Sequence, residues 1–220
     1  MRKPEREPDL DRRTRKRLAT RQTISDVATR LFMARGFDQV TIDEIAEAAD
    51  VGRMTVFNHF PRKEDMFFDR EDAMRNLAFD TIRLRPSGMS PIQALGTLAH
   101  QIVEQPSDVF PPFEHTRTFI ETAQASETLK ARARQMRDDF AKDLALLLKD
   151  EAGEDEDGAN AHLAAALVTA TWSTAFLQAH AELRRANDAK ASETIFLDTI
   201  DRGIMGTLAA LEGKPLRTVK

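Results

Sequence analysis

The chain contains no cysteine. That excludes disulfides, thiolate zinc sites and cysteine-based nucleophilic catalysis. Tyrosine is absent too, and glycine and proline number only nine each in 220 residues, too few for a repetitive or linker-dominated chain. No apolar run approaches the roughly 18–20 residues that would span a bilayer. The N-terminal stretch MRKPEREPDLDRRTRKR has no apolar segment after its basic residues, so it does not read as a secretory signal. The expectation is a cytoplasmic chain without membrane association. There is no G-x-S-x-G elbow and no Gly-rich phosphate loop, and no carboxylate motif demands a catalytic role. Five scattered histidines do not form a metal set. Neither an enzyme nor a bound cofactor or metal is expected.

What is present is charge, unevenly placed. The net charge is −4, but residues 1–63 carry 14 basic and 10 acidic groups and the remainder is strongly acidic. Residues 1–21 alone hold nine basic groups against four acidic ones. An acidic protein can bind nucleic acid if one surface is basic. Charge alone leaves solubility as an equal explanation.

The hydrophobic spacing is helical nearly throughout, and β-branched runs are few. From Thr14 to Arg35, the residues Ile24, Val27, Ala28, Leu31 and Phe32 follow a helical period, and Gly36 reads as a left-handed cap. Thr41-Ile42-Asp43-Glu44 is a capping box opening a short helix. Asp50-Val51-Gly52 is a tight turn before a second short helix over about 53–59. Pro61 stops that helix, and one further helix is expected from Lys63 to about Leu84. Pro86-Ser87-Gly88 is the first clear break. Later helices are expected over about 90–104, 108–122, 125–149, 160–183 and 189–211. The acidic run Asp150 to Gly158 reads as a solvated connection, since it lacks the ligand spacing of an EF-hand.

Two short helices joined by a tight turn behind a longer helix form a helix-turn-helix. The DNA major groove, about 12 Å wide, admits one such helix. The literal string ARGFDQVTIDEIAEAADVGRMTVFNHFPRKEDMF over residues 34–67 resembles the N-terminal domain of TetR-family transcriptional regulators. The likeness runs from Ala28–Phe32 through Gly36-Phe37, Thr41-Ile42, Ile45-Ala46, Ala49, Val51, Thr55, His59-Phe60, Lys63-Glu64 and Met66, about residues 20–70. Three positions depart from the family. Asp50 stands where Gly is common, Gly52 where Ser is frequent, and Phe57 where Tyr is usual. Phe57 keeps the packing but cannot donate a hydroxyl to phosphate.

The resemblance implies an all-α chain: a three-helix DNA-binding domain followed by a helical dimerisation and effector domain. The implied division is a flexible basic arm over 1–13, the helix-turn-helix domain over 14–62, a connecting helix over 63–85 and the effector domain over 86–220. It implies a DNA operator, a homodimer and a small-molecule effector as partners. A repressor released from a palindromic operator is the leading function. The alternative is a structural or interaction protein that has lost DNA binding.

By resemblance, Arg53 at the start of the recognition helix either reads guanine or meets a phosphate. Met54 either touches a thymine methyl or packs the turn. Thr55, Phe57 and Asn58 lie on the same helix, and His59 either meets phosphate or is structural. Lys63 is expected on a phosphate, and Thr41 is mainly a cap whose helix terminus approaches the backbone. Arg13, Arg15 and Arg17 would position the duplex rather than read it. In the second half, Phe110, Phe113, Phe119, Trp172 and Phe176 either line an effector pocket or form core, with His100, His115 and His180 as polar anchors. Two apolar stripes, one with Leu163, Leu167, Thr171 and Ala175 and one with Phe196, Ile200, Ile204 and Leu208, face either a second subunit or their own core.

Overall fold

The computed structural model describes residues 11–152 and 158–212. Most of the expected basic arm, residues 1–10, lies outside them, as does the centre of the acidic connection. The chain is all-α and divides into two compact units between Asp69 and Arg70.

The first unit holds α1 (Arg12–Arg35), α2 (Ile42–Ala48), α3 (Arg53–His59) and α4 (Lys63–Phe67). Asp11 caps α1 by accepting from the amides of Arg13 and Thr14, so Arg12 and Arg13 are helical rather than part of an arm. Gly36 has φ +83° but ψ 149°. It is therefore a positive-φ stop in extended backbone, not the left-handed cap the spacing suggests. Asp50 does take left-handed geometry, at φ 52°, which Asp tolerates better than most residues. The core is Ile24, Ala28, Phe32, Phe37, Ile45, Val56, Phe60, Met66 and Phe67, all essentially buried. Phe32, Phe37 and Phe67 meet with ring centroids 4.9 to 6.1 Å apart, the tilted spacing that aromatic quadrupoles favour.

The helix expected from Lys63 to Leu84 is two helices. After α4 the chain turns at Phe68 (φ −100°, ψ 37°), where the Asp69 carboxylate accepts from the buried Ser25 hydroxyl of α1. A second helix, α5 (Glu71–Arg83), then begins.

The second unit contains α5, α6 (Pro91–Glu104), α7 (Phe113–Ala125), α8 (Glu127–Ala152), α9 (Gly158–Ala186) and α10 (Ala189–Ala210). Ser90 and Gln93 form a capping box at α6, with Pro91 in its first turn. The helix α7 starts at Phe113 rather than at 108, because Pro112 occupies its N-cap; Pro cannot continue a ladder that needs its amide. Asp150 and Glu151 are helical rather than loop, and Glu151 pairs with the mostly buried Arg85 at 2.6 Å. Arg132–Glu71 and Arg75–Asp143 add ion pairs between α8 and α5.

Helices α9 and α10 form the centre of this unit. Ala164, Ala165, Val168, Ala175 and Ala179 of α9 face Phe196, Ile200 and Ile204 of α10 within one buried cluster. Four of the residues considered for a dimer face, Ala175, Phe196, Ile200 and Ile204, are thus turned into their own chain's core. Small side chains let the two backbones approach closely. A Cβ built on Gly203 would lie 2.2 to 2.8 Å from three side-chain atoms of Thr171, its Cβ among them. Rotation of Thr171 cannot remove that clash, so the helices must separate. Gly203→Ala should destabilise the protein by about 1–3 kcal/mol, the usual cost of overpacking. Denaturant unfolding of the variant checks this, and an unchanged midpoint would show that the helices yield without cost.

Candidate functional site

The exposed pattern of the first unit centres on α3. Val56 and Phe60 point inward with no exposure. At 3.6 residues per turn, that leaves Met54 and Asn58 on the outer side and Phe57 on its flank, while Arg53 is the first residue of the helix. Arg53, Met54 and Asn58 are exposed, and Thr55, Phe57 and His59 are partly so. Met54 is 69% exposed, which removes the turn-packing alternative and leaves an apolar side chain projecting into solvent.

Both ends of α3 are tied to other helices. At its start, Arg53 Nη1 donates to both carboxylate oxygens of Asp43 on α2, at 2.9 and 2.8 Å. The guanidinium also lies 5.6 Å from the Phe57 ring centroid. At its end, Arg21 of α1 stacks 3.9 Å above the Phe60 ring and donates to the His59 carbonyl. A cation at a helix C-terminus meets the partial negative charge of the free carbonyls. Arg21 and Asp43 were not among the sequence-derived candidates. Their pairings join residues 38 and 10 positions apart, which helical periodicity does not report.

Arg13, Thr14 and Arg17 of α1 adjoin Asn58 and His59 of α3 around one open concavity. Arg15 is exposed on α1 but does not line it. Burial, with Arg17 and Arg21 close by, holds the His59 pKa below its ordinary value. That shift favours the neutral imidazole, which has one N–H to donate. Arg13 and Arg17 supply the positive charge.

Lys63 opens α4 with its ammonium 4.2 Å from the Phe37 centroid and 5.7 Å from that of Phe32. Burial lowers its pKa, against the raising effect of Asp38, Glu64 and Glu44. The aromatic faces seat the ammonium, so the group is placed rather than free to wander. Thr41 caps α2 as its spacing requires. Its amide and hydroxyl both donate to Glu44 at 2.8 Å, and its hydroxyl accepts from the Glu44 amide at 3.3 Å.

The second unit brings together part of the expected effector set. Phe113, Phe176, His180, Trp172 and Phe196 make a chain of ring contacts with centroids 4.2 to 6.2 Å apart. His180 is buried, with Nε2 2.8 Å from the Thr116 hydroxyl and Nδ1 2.9 Å from the Phe176 carbonyl; desolvation lowers its pKa. Phe110 and Phe119 are partly buried. His115 is exposed on α7, and His100 pairs with Asp201 at 2.8 Å instead of with the aromatic cluster. Those two histidines are not placed as pocket anchors. Two buried atoms on α9 lack a hydrogen-bond partner among the described residues: Trp172 Nε1 and Thr169 Oγ1. Thr169 went unnoticed in the sequence because a threonine in an alanine-rich helix carries no signal by itself.

Among the described residues, no group of three or more acidic or histidine side chains is arranged to hold a metal, and no helix is long and apolar enough to cross a membrane.

The Glu44 carboxyl is held at about 2 by the Thr41 amide first, then by Arg35 and the Thr41 hydroxyl. A carboxyl with a depressed folded pKa stabilises the fold above its unfolded value and loses that contribution as pH falls. The stability advantage of the wild type over Glu44→Gln should therefore be full above about pH 4.5 and shrink as pH falls toward 2. Thermal midpoints of both proteins across that range check this; a constant difference would contradict it.

Residues 24–69 match the family model described as "Bacterial regulatory proteins, tetR family". Over 83 residues the chain is 35% identical to the HTH-type transcriptional regulator TcmR of Streptomyces glaucescens, covering 38% of this chain and 37% of that protein. The chain thus spans little more than a third of that relative's length in the match. NalD, described as the secondary repressor of the MexAB-OprM multidrug efflux pump in Pseudomonas aeruginosa, has a similar fold. Its TM-score is 0.55 at 19% identity, over 86% of this chain and 96% of that one. SmeT in its triclosan complex gives a TM-score of 0.52 at 21% identity, over 87% and 91% of the two chains. The likeness to the TetR family in sequence thus lies in the helix-turn-helix segment.

Proposed function

We propose that this chain, whose residues 24–69 match the TetR-family model, is a sequence-specific DNA-binding regulator that represses transcription as a homodimer and is released by a small molecule. The observation that carries the reading is α3 itself: a seven-residue helix anchored by the buried Val56 and its buried C-cap Phe60, with Arg53, Met54 and Asn58 exposed beside a basic α1. At 1.5 Å per residue it is about 10 Å long and fits across a major groove about 12 Å wide.

Arg53 reads guanine, and Met54 offers an apolar contact for a thymine methyl. Thr55, Phe57 and Asn58 flank them on the same helix. Lys63, His59, Arg13, Arg15 and Arg17 hold phosphates and set the register, and Thr41 fixes the α2 terminus beside them. The reading in which DNA binding has been lost finds no supporting feature, since the outer face of α3 is neither acidic nor buried.

The dimer face we propose is the outer side of α9. From Ala159 to Ala181 that helix holds no Asp, Glu, Lys or Arg. Leu163 and Leu177 are 45% and 51% exposed, with Ala166 and Ala170 exposed between them. Leu167, Thr171 and, on α10, Leu208 are partly exposed, and Met205 is 61% exposed. Such a face, paired with its symmetry mate, forms a self-complementary interface. The effector site is the aromatic cluster around Trp172, where an apolar aromatic compound bearing a hydrogen-bond acceptor would satisfy the indole N–H. Its binding would favour a dimer geometry that misfits the operator. The repressor title of NalD and the triclosan bound to SmeT support this reading by analogy.

Selection from a random duplex pool with the purified protein tests the proposal, and the recovered motif should be an inverted repeat. On that duplex, Lys63→Ala should weaken binding about equally for all sequences and lower the salt slope by about 1 for each lysine–phosphate contact. Failure to recover a motif would overturn the function. An unchanged slope in folded Lys63→Ala would remove Lys63 from the phosphate contacts.

Ala170→Arg places a charge at the centre of the proposed dimer face. Sedimentation should show the wild type at twice the 24.8 kDa chain mass and the variant shifted toward the single chain. A variant that stays fully dimeric would place the interface elsewhere.

A further inference from the structure

We infer that Asp43 is a positioning residue that fixes the base preference of the protein by orienting Arg53, an inference that rests on the DNA-binding function proposed above. Arg53 and Asp43 sit on different helices on either side of the turn at Asp50 to Gly52. Asp43 is in the first turn of α2, whose start is locked by the Thr41–Glu44 capping box. Both Asp43 oxygens receive the same guanidinium nitrogen, Nη1, at 2.9 and 2.8 Å. The Phe57 ring also flanks the guanidinium, its centroid 5.6 Å away. A carboxylate from α2 and a ring from α3 therefore restrain a side chain with four rotatable bonds.

The choice of nitrogen matters. A guanidinium presents its donors in a rigid planar fork. With Nη1 occupied by Asp43, the edge made by Nε and Nη2 keeps two parallel N–H groups. Two parallel donors are what guanine O6 and N7 accept in the major groove. Asp43 thus engages one end of the fork and leaves the Nε–Nη2 edge available to a base.

The pair is well exposed in the free protein, at 58% and 67% side-chain exposure, where such pairs contribute little to stability. Its effect belongs to the bound state. When the groove shields it from water, the attraction strengthens and the guanidinium keeps one orientation without a further ordering cost. A carboxylate close to DNA is also repelled by every phosphate nearby, whatever the sequence. Asp43 is therefore unfavourable for general affinity and favourable for discrimination.

A different role for Asp43 has a different signature. Asp43 is one of two acidic residues in the first turn of α2, where a negative charge complements the helix dipole. If that were its whole role, removing it would loosen the domain and weaken all duplexes alike.

The test uses the full chain as wild type, Asp43→Ala, Asp43→Asn and Arg53→Ala. Selection from a random duplex pool with wild type and with Arg53→Ala identifies the symmetric base pair that relaxes when Arg53 is lost. Affinities are then measured on the preferred duplex, on one with that base pair replaced and on an unrelated duplex. Asp43→Ala should relax the same base pair, cutting the preferred-to-replaced affinity ratio about tenfold, within the range of one bidentate contact. Its affinity for the unrelated duplex should hold or rise. Asp43→Asn, which keeps one acceptor oxygen, should retain part of the ratio. An unchanged ratio in both variants, or an equal fall on all three duplexes, overturns the role of Asp43 while leaving DNA reading intact. A wild type that selects no duplex overturns both.

Discussion

Val56 and Phe60 hold α3 in place, and the rest of the first unit depends on their burial. Both are fully buried. A helix of seven residues has no independent stability in water, because nucleation is unfavourable and too few bonds follow it. It persists because its inner side is part of a core. With that side fixed, the direction of every other α3 side chain is fixed as well. Arg21 secures the last carbonyl and Asp43 the first side chain, so both ends are held by residues of other helices. Affinity can then come from the basic α1 and Lys63, and selectivity from the few groups at the start of α3.

The second unit follows a different principle, close approach through small residues. Alanine dominates the buried side of α9, and Gly203 removes the last obstacle to α10. The opposite side of α9 is also apolar and free of formal charge, which a helix needing only one core side would not require. Two apolar sides on one helix suit both a private core and the proposed dimer face. The indole N–H of Trp172 and the hydroxyl of Thr169 have no partner among the described residues. Buried polar groups without partners are costly, and here both lie on the same helix as the aromatic cluster.

Much of this was legible in the sequence, for local reasons. The capping box at Thr41 and the turn at Asp50 are set by residues within four positions of one another. What the sequence obscured is long-range. The break after Phe67 interrupts an apolar pattern that would suit a continuous helix, and it coincides with a bond between Ser25 and Asp69, 44 positions apart. Periodicity found the apolar stripes of α9 and α10 but could not say which of two apolar sides meets the chain's own core, so Phe196, Ile200 and Ile204 were open to either reading. His100 and His115 looked equivalent to His180 because composition records a histidine and not its surroundings. Only His180 is enclosed with the rings.

The claim on which the account stands is that α3 enters the major groove with Arg53 against guanine. Methylation protection on the selected duplex measures this directly, since the reagent attacks guanine N7 on the major-groove edge. The account predicts protection of one guanine N7 at a symmetric position in each half-site, lost selectively when Arg53 is replaced by alanine. Bound duplex with every guanine N7 still reactive would contradict it.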